Sequence, residues 1–249
     1  MIGISSPKNS ETYMKPLQKI SIIIPVFNEA KTLRDVIRSV EQAPIPFVKE
    51  VIIINDGSSD DTAHILEEYR SRHTIISFTK NMGKGAAVRA GLQSATGDVA
   101  IIQDADLEYD PADYPILLQP IIDSKADVVF GSRFITAHPR RVLYFSHYVA
   151  NKCITFLSNV FTGLNISDME TGFKVFSKKA VQAILPHLTA RRFGIEPNIT
   201  AQVAKQKLKV YEVGISYNGR TYEEGKKITW RDGVVAIWHI IHFNIFSGR

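Results

Sequence analysis

The sequence predicts an α/β domain with a mostly parallel central sheet flanked by helices. Short apolar runs alternate with helical patterns through the first half, the signature of strand–helix–strand units. A length of 249 residues and a hydrophobic content of 45% suit one large domain with a substantial core. No internal repeat or low-complexity linker interrupts the alternation.

The elements are expected in the following order. A buried strand is predicted over 20–27 and a helix over about 30–42. A second strand follows over 50–54, then a turn and a helix over about 61–71. Residues 75–78 form a third short strand and 85–95 a helix; 99–103 and 126–130 supply the fourth and fifth strands. Beyond residue 140 the pattern is less regular and is expected to elaborate the ligand side of the same domain. Residues 1–19 are polar and of mixed charge, unlike a signal or transit sequence, and read as a loosely attached arm. Residues 20–232 are expected to form the catalytic domain. Residues 233–249 are read as an apolar segment lying at an interface or joining two subunits.

Charge and cysteine usage narrow the partners. A formal charge of +5 allows nucleotide phosphates, acidic lipids or nucleic acid. The basic residues are dispersed and no nucleic-acid motif appears, so a nucleic-acid partner is not expected. One cysteine, Cys153, excludes an intrachain disulfide, fits a reducing compartment and is expected as a small buried hydrophobe. No apolar run reaches the roughly 18 residues that span a bilayer.

The chemistry centres on Asp104-Ala105-Asp106, directly after the apolar run 99–103. In a strand, residues two apart share a face, so both carboxylates would project from the strand's C-terminal end. That end faces the ligand crevice of an open α/β sheet. Two aligned carboxylates there suit Mg²⁺ or Mn²⁺ carrying a diphosphate, since both ions are hard and seek oxygen. A dinucleotide fold is excluded because the turn Pro25-Val26-Phe27-Asn28-Glu29 lacks glycine. A Walker loop is excluded because Gly83-Lys84-Gly85-Ala86 lacks the spacing and the hydroxyl.

Several motifs recur in a recognisable order: 21–29, Asn55 to Thr62, Asn81 to Gly85, Asp104 to Asp106, Gly131-Ser132-Arg133, Asp168 to Phe173, and Arg220 with Lys226-Lys227. Together they resemble the family 2 glycosyltransferases of the GT-A fold, especially the branch using polyprenyl-phosphate acceptors, the dolichyl-phosphate mannose and glucose synthases. The resemblance implies an inverting transfer of one hexose from a nucleotide-diphosphate sugar. It places Pro25, Asn28, Glu29 and Asp56 at the base and ribose, with Lys84, Ala105, Arg220 and Lys226 also on the donor. Asp106 is the expected metal ligand. Asp104 would bind the metal directly, through water, or contact the sugar, and Glu108 would complete the shell if the chain stays extended. Arg133 would clamp a phosphate, with a structural ion pair as the alternative.

Asp168 and Glu170 are the candidates for acid–base or acceptor contacts. A sugar hydroxyl needs a base to remove its proton. A lipid phosphate is already largely ionised near neutral pH, its second pKa being about 6, and Asp168 would then orient groups instead. Glu196 is a weaker candidate for the same cavity. Asn81 to Gly85 looks closer to glucosyl- than to mannosyl-transferring relatives, so UDP-glucose is preferred to GDP-mannose. Ser58, Ser59 and Asp60 are read mainly as helix-capping residues.

Arg140-Arg141 leads into an aromatic and aliphatic stretch, and 234–246 carries Trp238 and Phe243. Both suit a membrane headgroup region or a second subunit, and attachment at the cytoplasmic membrane face is expected. Transfer to a saccharide hydroxyl, or a nucleotide-sugar-binding regulator without turnover, are the rival functions.

Overall fold

The computed structural model describes residues 17–135, 141, 142, 144–220, 223 and 230–247. Seven strands form one sheet in the order β3-β2-β1-β4-β6-β5-β7. Strands β1 (Lys19–Val26), β2 (Val48–Asn55), β3 (Thr74–Ser77) and β4 (Val99–Ile102) run parallel, while β6 (Lys174–Ser177) is antiparallel to both β4 and β5 (Val128–Ser132). The edge strand β7 (Val210–Gly214) pairs parallel with β5. The sheet is thus mostly parallel with helices on both faces, as the sequence predicts.

Sequence pattern explains the layers. In β1, Ile20, Ile22, Ile23 and Ile24 are all fully buried, because side chains on both faces of the strand meet helices. One face packs on α1 (Leu33–Gln42), whose Leu33, Val36, Ile37 and Val40 recur at helical spacing, and on α4 (Tyr114–Ile122). The short α2 (Thr62–Glu67) lies on this side through Ile65 and Leu66. The other face packs on α3 (Lys84–Ser94), α6 (Lys178–Ile184) and α7 (Ile195–Lys205). There α5 (Phe145–Thr162) and α8 (Trp230–Ile241) complete the layer through Ile154, Ala236 and Ile240. Helix α3 lies very close to the sheet: a Cβ on Gly91 would stand 2.3 Å from Ile23 Cγ2.

Three expectations need correction. The helix predicted over 61–71 ends at Glu67 in a series of turns. The fifth strand begins two residues late, because Asp127 turns the chain by accepting the Lys209 N–H at 2.9 Å. Cys153 is exposed, on the outward side of α5, and is no core residue.

Candidate active site

The ends of β1, β2 and β4 open onto one crevice, and the loops that follow them are laced together. Asn28 adopts a left-handed φ of 53°, and its Oδ1 accepts the Ser59 N–H at 2.8 Å. The Asn28 N–H donates to Ser58 Oγ, the Glu29 N–H to Thr62 Oγ1 and the Ala30 N–H to Asp60 Oδ2. Ser58, Ser59 and Asp60 thus tie the β1 loop to the β2 loop more than they cap α2. Asp56 is 2% exposed, and its two oxygens accept the N–H groups of Met82 and Gly83 at 2.6 and 2.8 Å. Asp56 thereby builds the turn that delivers Lys84. That turn requires glycine, since Gly83 has a φ of 94° and a Cβ there would meet the Arg191 carbonyl at 2.4 Å. Pro25 lies within β1, and the Ala105 carbonyl accepts the Thr32 hydroxyl at 2.7 Å.

Asp104 and Asp106 are not aligned by strand alternation. β4 ends at Ile102, so both lie in the loop beyond it. Their positions are set by cations. Lys84 Nζ holds Asp104 Oδ1 and Glu196 Oε1, each at 2.9 Å. Burial opposes the charged form of Lys84, yet these two carboxylates hold its pKa well above the ordinary value. Arg220 gathers three carboxylates: Asp106 at 3.0 Å, Glu108 at 3.4 Å and Glu29 at 3.6 Å.

The condition set for Glu108 is not met. Leu107 turns the chain at φ 59°, the Glu108 N–H folds back onto Asp106 Oδ1, and the Glu108 carboxylate accepts from Tyr217 and Arg220. Burial, then Asp104 and Glu108, push the Asp106 carboxyl above its usual range. Among the described residues no three carboxylate, histidine or cysteine groups stand as a ready metal shell. The charge balance nevertheless fits a dication: in these ion pairs five carboxylates, Glu29, Asp104, Asp106, Glu108 and Glu196, meet two cations, Arg220 and Lys84. Carboxylate oxygens are the donors that Mg²⁺ and Mn²⁺ prefer.

Deeper in the crevice, Arg133 and Asp168 form a bidentate ion pair, Nε to Oδ2 and Nη2 to Oδ1, both 2.7 Å. Asp168 is fully buried and Arg133 is 8% exposed. The Arg133 guanidinium also lies over the Tyr217 ring at 5.3 Å. Glu212 fixes the loop bearing Asp168 by accepting the N–H groups of Ser167 and Asp168. The next carboxylate, Glu170, has a buried oxygen without a hydrogen-bond partner, as has Glu196. Burial and then Glu196 drive the Glu170 carboxyl upward, while burial drives the neighbouring Lys174 ammonium downward. Lys174 donates to the Met169 carbonyl at 3.0 Å and to Thr171.

The structure therefore brings together Glu29, Lys84, Asp104, Asp106, Glu108, Arg220 and Glu196, with Arg133, Asp168 and Glu170 in a second group linked to them through Glu196. Asp56, Asn28 and Ala105 shape the surrounding loops. Lys226 and Lys227 lie outside the described residues. Sequence reasoning missed Lys174, which looks like any strand lysine, and Glu212, whose alternating strand hides its polar purpose. Tyr109 and Tyr217 were missed too; their rings meet at a tilt of 54° with centroids 5.4 Å apart.

Residues 21–185 match the model of glycosyl transferase family 2. The chain is 30% identical over 223 residues to a dolichyl-phosphate β-glucosyltransferase of Trichomonas vaginalis, covering 82% of this chain and 67% of that protein. It is 28% identical to a UDP-N-acetylglucosamine–dolichyl-phosphate N-acetylglucosaminyltransferase of Methanococcus voltae, covering 79% of this chain and 84% of that protein. Glucosyl-3-phosphoglycerate synthase from Mycobacterium tuberculosis, solved with Mn²⁺, UDP and product, superposes with a TM-score of 0.70 at 18% identity. That superposition covers 93% of this chain and 81% of the other, and the likeness is one of fold.

Proposed function

Since the chain belongs to glycosyl transferase family 2 and is a glycosyltransferase, we propose that it moves one hexose from a nucleotide-diphosphate sugar to a polyprenyl phosphate. The observation that carries the donor half is the gathering of Glu29, Asp104, Asp106, Glu108 and Glu196 around Lys84 and Arg220 at the strand ends, more carboxylates than cations in these pairings. Asp106, with Asp104, would hold a Mg²⁺ or Mn²⁺ ion. Such an ion supplies Lewis-acid neutralisation of the leaving diphosphate. Lys84 and Arg220 place positive charge on either side of the same space, where a diphosphate would bind.

Support for the acceptor half comes from the relatives named for dolichyl phosphate and from the surface. Phe145, Phe156 and Val160 on α5 are 78%, 70% and 62% exposed, and Trp238 on α8 is 58% exposed. Such apolar side chains suit the face of a membrane, where a lipid acceptor resides. The same face would serve a second copy of the chain. No helix among the described residues is long and apolar enough to cross a bilayer. Arg133, whose Nε–Nη2 edge is held by Asp168, would attract an acceptor phosphate by its charge. Because a lipid phosphate is already ionised, Asp168 orients and needs to remove no proton. Inversion follows if displacement is a single in-line step.

The test is incubation of the purified protein with Mn²⁺ or Mg²⁺, a panel of UDP- and GDP-sugars including UDP-glucose and GDP-mannose, and a short, water-soluble polyprenyl phosphate. Lipid-dependent release of nucleoside diphosphate, with a glycolipid by mass spectrometry, is the expected result. Donor turnover that ignores the lipid would point to a hydroxyl acceptor, and binding without turnover to a regulator.

A further inference from the structure

The arginines whose side chains are described divide into those with a partner and those without. Arg34, Arg38, Arg70, Arg72, Arg133 and Arg220 each pair with a carboxylate, and Arg141 donates to the Gly219 carbonyl. Arg89, Arg191 and Arg192 are exposed and belong to no ion pair among the described residues. These three are neighbours in space. Arg89 and Arg191 line one groove of about 510 Å³, floored by Met82, Ala86 and Ala90 of the α3 side. Arg192 packs against the start of the same helix, beside Gly83.

Guanidinium groups without a carboxylate partner favour an anion from outside, and two of them line this groove with the third beside it. Its floor is apolar, so the fitting anion carries an apolar body. The groove is also continuous with other unpartnered surface. Phe193 follows the arginines at 51% exposure, and Gly194 packs on His239 of α8, next to the exposed Trp238. α3, the 188–194 loop, α8 and α5 all lie on one face of the sheet, sharing one buried cluster. Cations beside exposed aromatic and aliphatic side chains complement an anionic lipid surface.

We infer that the groove between α3 and the 189–192 loop is a docking site for the phosphate headgroups of an anionic membrane, read by Arg89, Arg191 and Arg192. It rests on the lipid-acceptor proposal and gives it an orientation: Lys84, in the first turn of the same helix α3, would be held near the bilayer surface with its crevice.

Co-sedimentation with phosphatidylcholine vesicles, with and without 30 mol% phosphatidylglycerol, tests it. Each arginine near an anionic surface contributes about 1 kcal/mol, or roughly fivefold in affinity. The triple variant Arg89→Ala/Arg191→Ala/Arg192→Ala should therefore lose about 100-fold in affinity for anionic vesicles. Its turnover with the soluble short-chain acceptor should stay within twofold of the parent, which also shows that the variant is folded. Should the triple variant fold poorly, raising the salt to 0.5 M should release the unaltered protein from anionic vesicles.

Equal binding to neutral and anionic vesicles would overturn the inference, as would undiminished binding by the folded variant. So would full competition by millimolar inorganic phosphate, which would mark a free-anion site, or preference for an RNA oligonucleotide over vesicles. The soluble-acceptor assay needs no vesicle, so failure of the transferase proposal shows there and failure of the docking site shows only here.

Discussion

At the scale of single residues, the Arg133–Asp168 pair is the most exacting arrangement in the molecule. Two charges are taken out of water and tolerate it because each satisfies the other in a fork-to-fork geometry. Removing one partner strands the other. Arg133→Met should destabilise the protein by about 3–5 kcal/mol, because Asp168 stays buried with its charge uncompensated. Urea denaturation measures the loss. Replacing both, Arg133→Met with Asp168→Leu, should recover much of that stability, since a well-packed apolar pair often matches a buried ion pair. It should not recover lipid-dependent turnover. A double variant as unstable as the single would mean that the pair stabilises by something other than mutual charge. The residues themselves were legible in the sequence as candidates, but their pairing was not. Asp168 and Arg133 are 35 positions apart, and nothing local reveals that one fixes the other.

At the scale of elements, legibility followed locality. β1 to β4 and the helices α1 and α3 were readable because each announces itself with a run of Ile and Val or a helical spacing of apolar residues. β6 was not readable: its four residues, Lys174 to Ser177, carry a lysine that is 1% exposed and donates to carbonyls brought in by the preceding turn. The carboxylates of the crevice were found as a motif, but for the wrong geometric reason. Strand alternation does not align Asp104 with Asp106; Lys84 and Arg220, distant in sequence, do.

A similar long-range device locks the sheet's other end. Glu50 on β2 accepts from Lys19 and Ser21 on β1 and from Thr96 before β4. Burial alone would raise its pKa, but these hydrogen bonds bring it down to about 2. A carboxylate whose folded pKa lies below its unfolded value stabilises the fold above the unfolded pKa. That stability is lost as pH falls from about 4.5 towards 2. Solvent screening discounts the full shift, so Glu50→Gln should cost about 1–2 kcal/mol at pH 7 and progressively less as the pH falls through that window. Denaturation midpoints measured at pH 7 and near pH 3 give the comparison; an equal cost at both would show that packing, not charge, accounts for Glu50.

At the scale of the whole molecule, charge is distributed unevenly, and that separates two surfaces with opposite requirements. Arg89 and Arg191 line the groove on one face of the sheet, Arg192 stands beside it at Gly83, and none of the three joins an ion pair among the described residues. Among the described residues, the ion pairs of the crevice at the strand ends set five carboxylates against Lys84 and Arg220. The first surface calls for an anion and the second for a cation, and the second requirement can be read without any assay of turnover. A ligand that binds only the folded state stabilises it by about 2.7 kcal/mol at 100 times its dissociation constant. In a domain of this size each kcal/mol raises the melting temperature by about 2–4 °C. Saturating Mn²⁺ or Mg²⁺ should therefore raise the melting temperature of the metal-free protein by about 5–10 °C. Adding a nucleoside diphosphate with the metal should raise it more than the two separate shifts combined, because the diphosphate completes the ion's coordination and relieves the crowding of carboxylates around Asp106. Asp106→Asn should reduce the metal shift to near zero while its own melting temperature without metal stays level or rises, since one of several repelling charges has gone. A melting temperature indifferent to metal, both alone and with the diphosphate, would assign the neutralising role to Lys84 and Arg220 by themselves, and the transfer would then proceed without a divalent ion.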